Sequence, residues 1–339
     1  MPLRASCCEL YPWASGTAVT AQSRAFHFTS IQSPRVMHRF LRPSRDLDVC
    51  LILDLEDGVG DLWEPMHTLE LKRIAREHIV NFVESLPSEI ARQLGVRVNA
   101  VSAEHFGLDL AMLASITPER GPRVVVVPKV SSGLELDLTC DAFTSIGVDV
   151  RGLVPIVESV VGLARLDDIV STSVQRGLAY VVYGHFDYCL DSKAWPFPGH
   201  NEAEFWHTVT DFIGRVERGG LSYVHPPISH VLNDALFRRI RERLETLCRR
   251  AFGMITVTSR QSSICHDRAP VDKCTADICL DLPGETKPSN LLLRAQSFVA
   301  VHESNRRDGN TFAMDGRTGQ FITQHEYLAA RRYLDTHGE

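Results

Sequence analysis

Glu158 and Asp187 each follow a short β-rich apolar run, in the segments GLVPIVESVVG (152–162) and LAYVVYGHFD (178–187). Two carboxylates delivered to one place by neighbouring strands make a site for a hard cation. Mg²⁺ prefers an octahedron of oxygens and is commonly held by one or two carboxylates, leaving its other positions to water and substrate. Further charges stand in the same relation to apolar runs: Arg24 in 23–29, Asp54, Glu56 and Asp57 at the end of 49–55 and just beyond, Arg97 and Asn99 at 95–99, and Lys129 after 123–128. So many charged groups beside buried strands are costly to desolvate unless they pair with one another or hold a ligand.

The elements that must carry these residues can be read from the pattern of apolar runs. Eight strand candidates fall at 23–29 (SRAFHFT), 49–55 (VCLILDL), 95–99 (GVRVN), 123–128 (RVVVVP), 152–157 (GLVPIV), 178–183 (LAYVVY), 220–224 (GLSYV) and 252–257 (FGMITV). Most are separated by stretches of helical period. Leu71, Ile74, Ala75, His78, Ile79 and Phe82 form one apolar stripe, and Leu232, Leu236, Ile240, Leu244 and Leu247 another. Continuously apolar, β-branched strands alternating with helices indicate a parallel sheet buried on both faces. Eight of them indicate a (β/α)₈ TIM barrel, whose functional groups gather at the C-terminal ends of the strands. The competing open doubly wound sheet lacks its marks: no G-x-G-x-x-G follows the first strand, and no G-x-x-x-x-G-K-[ST] loop occurs.

Around this barrel, expected over 21–262, residues 1–20 read as a loose leader. Residues 263–339 read as a loop-rich connection followed by a C-terminal helical cap. The 339 residues, 44% of them hydrophobic, suffice for a full core. A net charge of −6 offers no basic field for nucleic acid. No run approaches the roughly 18 apolar residues of a membrane span, and the N-terminus lacks a charged-then-apolar signal pattern, so a cytoplasmic protein is expected. The nine cysteines are odd in number and scattered, which argues for reduced thiols rather than a disulfide framework. Cys265, His266, Asp267, Cys274 and Cys279 match no zinc spacing.

In order along the chain, LILDLEDGVG (51–60), K-x-x-A-R (72–76), R-x-N (97–99), P-K (128–129), P-I-V-E-S-x-x-G (155–162) and G-x-x-D (184–187) resemble the citrate lyase β-subunit/malyl-CoA lyase family. That family belongs with the HpcH/HpaI aldolases of the phosphoenolpyruvate/pyruvate barrel superfamily. The resemblance implies that Glu158 and Asp187 are the Mg²⁺ ligands and that Arg97 grips the carboxylate or enolate end of a 2-oxo acid. It also implies that Glu56 and Asp57 complete the catalytic set by ordering water or Arg97, and that Arg24 holds an anionic substrate group. The chemistry suits the residue types. A metal chelated by the keto and carboxylate oxygens is a Lewis acid toward the enolate left when a C–C bond breaks, and an arginine fork matches a carboxylate. Lys129 is read as an ion-pair partner rather than a Schiff-base lysine, because the metal already supplies the electron sink. Trimers or hexamers are the assemblies the resemblance implies.

Three departures stand out. The eighth strand continues as TVTSRQSSI (256–264), keeping Gln261 but placing Thr258 and Ser259 where an I-H-P-x-Q-I pattern has His-Pro. The acid/base aspartate of the CoA-thioester branch falls on Thr323, with Asp315 out of register and His225 a possible replacement base. The 263–293 connection is long. These point to a divergent branch, similar to the barrel C–C lyases found among stress-resistance biosynthetic genes. The expected activity is a Mg²⁺-dependent C–C lyase or aldolase on a pyruvate- or oxaloacetate-like acid, with CoA use open. The alternatives are an acyl-CoA lyase or thioesterase, and a non-catalytic metabolite-binding barrel or complex subunit.

Overall fold

The structure, a computed structural model, describes residues 23–31, 37, 49–267, 291–305, 311–316 and 319–338. The expected leader and most of the 263–293 connection, with Cys274 and Cys279, lie outside the described residues.

Eight parallel strands close into a barrel in sequence order: β1 (Ser23–Ser30), β2 (Cys50–Asp54), β3 (Leu94–Arg97), β4 (Val124–Val127), β5 (Leu153–Val157), β6 (Tyr180–Tyr183), β7 (Ser222–His225) and β8 (Phe252–Thr256). Closure is made by β1 on β8, with Phe26 opposite Ile255. Runs such as VVVV in β4 are buried along their whole length, because one face fills the barrel and the other meets the helix layer. Inward positions recur every second residue, as strand geometry requires. Phe26, Cys50, Ile52, Val124, Val126, Val154, Ile156, Tyr180, Val182, Val224 and Ile255 form the interior, and their neighbours in sequence pack outward with the helices.

The surrounding helices are α1 (Pro65–Ser85), α2 (Phe106–Ser115), α3 (Gly133–Ser145), α4 (Leu166–Gln175), α5 (His185–Asp191), α6 (Ala203–Arg218), α7 (Asp234–Leu247) and α8 (Ser259–His266). Both expected stripes lie on helices. Leu236, Ile240 and Leu244 of α7 are buried, but Leu232 precedes the Asn233 N-cap and is 69% exposed, so that stripe starts one turn later than its spacing suggests. Gly152, just before β5, is dictated by a close approach: a Cβ there would lie 1.9 Å from the Arg123 carbonyl oxygen. Beyond the barrel, α9 (Leu291–Ser304), the antiparallel hairpin of β9 (Phe312–Asp315) and β10 (Gln320–Thr323), and α10 (Gln324–His337) form a separate apolar cluster around Ala295, Phe298, Ile322, Tyr327 and Ala330. The hairpin is seated over the barrel mouth by the Phe321 amide, which donates to the Ser229 carbonyl at 2.8 Å. No helix among the described residues is long and apolar enough to cross a membrane.

His27 shows how the outward layer sets a pH limit. Its Nδ1 lies 3.0 Å from Ser262 Oγ and 3.2 Å from Thr256 Oγ1, and burial lowers its pKa from 6.5 to about 4. Between those values the unfolded chain takes up a proton that the folded chain refuses. The contribution is therefore complete above pH 6.5 and is lost as pH falls toward 4. At about 1.4 kcal/mol per pKa unit the loss reaches roughly 3 kcal/mol. Urea unfolding should thus show a shallower fall in stability from pH 6.5 to 4 for His27→Gln than for the wild type. Equal slopes would rule out His27 as a source of acid sensitivity.

Candidate active site

Strand parity decides which charges enter the barrel mouth. Asp54 continues the inward series of Cys50 and Ile52, Arg97 that of Gly95, and Glu158 that of Val154 and Ile156. All three line one cavity of about 350 Å³ at the C-terminal ends of the strands, together with Asp57, Asp187 and His325. A larger hollow of about 870 Å³ lies on the outer face of α1 and α2 around Met66, Arg73 and Leu108. It lacks the strand-end acids Asp54, Glu158 and Asp187, so the chemistry belongs to the smaller cavity.

One wall of the cavity is a charge clamp. Arg97 donates through Nε and Nη2 to the two oxygens of Asp54, each at 2.6 Å, and its Nη1 reaches Glu56 Oε2 at 2.9 Å and Asp57 Oδ2 at 3.0 Å. The fork predicted to hold substrate is thus engaged by three acids of the LDLED segment. Beneath it Lys72 Nζ donates to the Leu55 carbonyl at 2.9 Å and to Asn99 Oδ1. Arg76 Nε and the Asn99 amide both bind Asp109. The K-x-x-A-R and R-x-N motifs therefore brace each other through Asp109, a fully buried residue on α2 that the motifs alone do not reveal.

The opposite wall is crowded with negative charge. Glu158 is 4% exposed, and burial, then the nearby Asp187 and Glu56, push its pKa well above the usual carboxylate range. Its Oε1 accepts the Lys129 amide at 2.8 Å. Gly184 must be a glycine here, because a Cβ would come within 2.3 Å of Glu158 Oε2. Lys129 adopts a left-handed backbone (φ 58°) and extends Nζ to Glu56 Oε1 at 2.9 Å and Asp187 Oδ1 at 3.4 Å. Burial works against its charge, but Glu56 and Asp187 outweigh it and raise its pKa, so the amine stays protonated. That suits an ion-pair partner and not a nucleophilic amine. Burial and Asp57 raise the pKa of Glu56 to about 7. For Asp57 burial opposes ionisation, yet Arg97, His325 and Lys129 prevail and lower its pKa.

The C-terminal cap completes the cavity. Gln324 Nε2 donates to Asp57 Oδ1 at 2.7 Å, and His325 Nε2 lies 3.1 Å from Asp187 Oδ2. Burial lowers the His325 pKa, but Asp187 and Asp57 raise it further, and the net shift is upward. Thr323 is the N-cap of α10 in a reciprocal capping box with Glu326: its Oγ1 accepts the Glu326 amide at 3.2 Å, and Glu326 Oε2 accepts the Thr323 amide at 3.0 Å.

Other predicted positions fall elsewhere. Arg24 begins β1 opposite Gly253, at the N-terminal end of the barrel, with its guanidinium over the Phe26 ring. Six residues of strand, roughly 20 Å, separate it from Ser30 at the cavity, so the expected substrate contact is corrected to a place at the barrel floor. His225 is wholly buried with its Nδ1 3.0 Å from Tyr223 Oη, and its ring is stacked on Trp206. Because Val224 points into the barrel, His225 points outward, and burial lowers its pKa to about 3. Neither it nor Asp315 lines the cavity. Gln261 caps locally, accepting the Val257 amide at 3.0 Å, and buried Cys265, its thiol pushed up to about 12, is a packing residue. Gln324 and His325 are cavity residues that the sequence motifs do not mark. The only signal for His325 is its position two residues after Thr323.

A closed (β/α)₈ barrel with an acid-lined mouth at its strand C-termini defines an enzyme of the barrel class. A family model described as HpcH/HpaI aldolase/citrate lyase matches residues 24–216, more than half of the chain, and the protein belongs to that family of aldolase- and lyase-type enzymes. Among solved structures, the fold is similar to a citrate lyase β subunit from Mycobacterium tuberculosis complexed with oxaloacetate and magnesium (16% identity, TM-score 0.56, covering 74% of this chain and 98% of that one). It is likewise similar to CitE from M. tuberculosis in complex with magnesium, acetoacetate and coenzyme A (17%, 0.57, 95% and 100%) and to RipC from Yersinia pestis (19%, 0.52, 73% and 94%). No curated protein sequence matches the chain.

Proposed function

We propose that the protein is a divalent-cation-dependent carbon–carbon lyase or aldolase acting on a 2-oxo acid or its aldol adduct, with Glu158 and Asp187 holding Mg²⁺. The observation that carries this reading is the charge imbalance of the cavity. Asp54, Glu56, Asp57, Glu158 and Asp187 stand against Arg97, Lys129, the Lys72 beneath them and His325, so full ionisation of the acids leaves an excess of two negative charges with a neutral imidazole and of one with a protonated imidazole. The oxygen donors fit a hard divalent ion, and Glu158, whose pKa burial and then Asp187 and Glu56 raise, is a carboxylate that a bound cation would help to ionise.

Glu158 and Asp187 would hold the cation, which would supply Lewis-acid stabilisation of negative charge developing on a bound oxo acid. Lys129 keeps its charge beside Asp187 and Glu56 and adds to the positive potential at that point. Arg97 holds Asp54, Glu56 and Asp57 together on one wall of the cavity. The hairpin and α10 close the mouth and limit water. The M. tuberculosis citrate lyase β subunit in complex with oxaloacetate and magnesium supports the choice of metal and acid. Coenzyme A is an open part of this reading, as is a trimeric or hexameric assembly.

Thr323 separates the lyase reading from thioester chemistry, since a threonine hydroxyl takes no proton at neutral pH. Mg²⁺-dependent exchange of deuterium into pyruvate should be measurable in the wild type, and cleavage of the malyl-CoA thioester should be slow or absent. Asp is as good an N-cap as Thr, so Thr323→Asp should keep the fold while testing the missing carboxylate. Fast thioester cleavage by the wild type would restore the acyl-CoA alternative, and absence of Mg²⁺-dependent exchange and of aldol cleavage would remove the lyase reading.

A further inference from the structure

We infer that His325, brought into the barrel mouth by the C-terminal helix, is a nitrogen ligand of the active-site cation beside Asp187 and Asp57. This deepens the function proposed above and rests on the cation it requires. One donor atom from each of Asp57, Asp187 and His325 lies within 4.8 Å of the other two, the one such group of His, Cys, Asp or Glu residues among the described residues. His325 Nε2 stands 3.1 Å from Asp187 Oδ2 and 3.9 Å from Asp57 Oδ1. Ligands about 2.1 Å from a common ion are about 3.0 Å apart when adjacent and about 4.2 Å apart when opposite. The two distances from the imidazole, 3.1 and 3.9 Å, fall in or near that range, and the third pair lies within 4.8 Å. The imidazole is 7% exposed, and its Nδ1 has no hydrogen-bond partner among the described residues.

The placement is built by the fold. Thr323 and Glu326 lock the first turn of α10, and Gln324 ties that turn to Asp57. His325 is thereby held beside Asp187. Exchanging a water oxygen for an imidazole nitrogen changes which ions the site favours. Mg²⁺ gains little from nitrogen, whereas Mn²⁺ and especially Co²⁺ accept a mixed oxygen and nitrogen set. The site should then bind Mn²⁺ or Co²⁺ more tightly than Mg²⁺, and the C-terminal segment should be part of metal binding as well as a cover.

The test is pulsed electron paramagnetic resonance on the full-length protein loaded with Mn²⁺, together with calorimetric titration of Mn²⁺ and Mg²⁺. The wild type should show ¹⁴N modulation from one imidazole. His325→Ala and His325→Gln should lose it, with Mn²⁺ affinity falling about tenfold or more and Mg²⁺ affinity changing less. Circular dichroism and melting of both variants establish that they are folded, and Gln keeps a polar group in the cavity should Ala collapse it. Mn²⁺ bound by the wild type without nitrogen modulation, or modulation that survives in both variants, overturns the assignment while leaving the cation-dependent reading in place. A wild type that binds neither ion overturns both.

Discussion

Asp187→Asn should abolish tight binding of Mg²⁺ and Mn²⁺ and lower the rate of enolate-forming turnover by two to four orders of magnitude, while leaving the protein folded. The rate follows from the several kcal/mol that a Lewis-acid metal supplies, at tenfold for each 1.36 kcal/mol. Asp187 is singled out because it belongs to both candidate ligand sets, the Glu158 pair predicted from sequence and the group with Asp57 and His325. The stability argument runs the other way from a usual active-site substitution. Asp187 raises the pKa of Glu158, so neutralising it relieves like-charge repulsion, and the loss of its contacts to Lys129 and His325 offsets part of that gain. The metal-free variant should therefore melt close to the wild type. Saturating Mg²⁺ should raise the melting temperature of the wild type alone, since a ligand stabilises only the form that binds it. An Asp187→Asn variant that titrates with wild-type affinity would show that the cation, if any, is held elsewhere.

The eight strands were legible in the sequence because their two buried faces make them continuously apolar, and their order closed the barrel without further information. The charges at the ends of β2, β3 and β5 were legible for the same reason, each being the next inward position after an apolar series. Parity is also available for Arg24 and His225, but membership of a strand does not by itself place a side chain at the site. Arg24 is inward at the wrong end, and His225 is at the right end on the wrong face. Which partner Arg97 chooses could not be read, because Asp54, Glu56 and Asp57 are all within reach of one fork and only the β2–β3 register, Asp54 beside Arg97, settles it. His325 was hidden more deeply. Its place depends on the hairpin docking on Ser229, a contact between residues about ninety positions apart in the chain, with no periodic pattern to announce it.

The clamp on Arg97 leads to the largest expected change in stability. Arg97 and Asp54 side chains are 10% and 7% exposed, and Glu56 is 8% exposed, so Arg97→Ala leaves three acids in a poorly solvated wall with no fork between them. Breaking one partner of a buried ion pair costs on the order of 3–5 kcal/mol, and the shift should appear as a lower urea midpoint. Arg97→Lys keeps one positive charge but cannot span both oxygens of Asp54, so its loss should be smaller than that of Arg97→Ala. Adding Asp54→Asn to Arg97→Ala should recover a sizeable part of the loss, because the orphaned carboxylate is then gone, and the non-additivity of the cycle measures the clamp. A residue whose role is confined to gripping substrate behaves differently: its removal raises KM and leaves the urea midpoint where it was. An Arg97→Ala protein that unfolds at the wild-type midpoint but binds its oxo acid weakly would show that Arg97 is turned toward substrate in the working enzyme, against the three-acid clamp seen here.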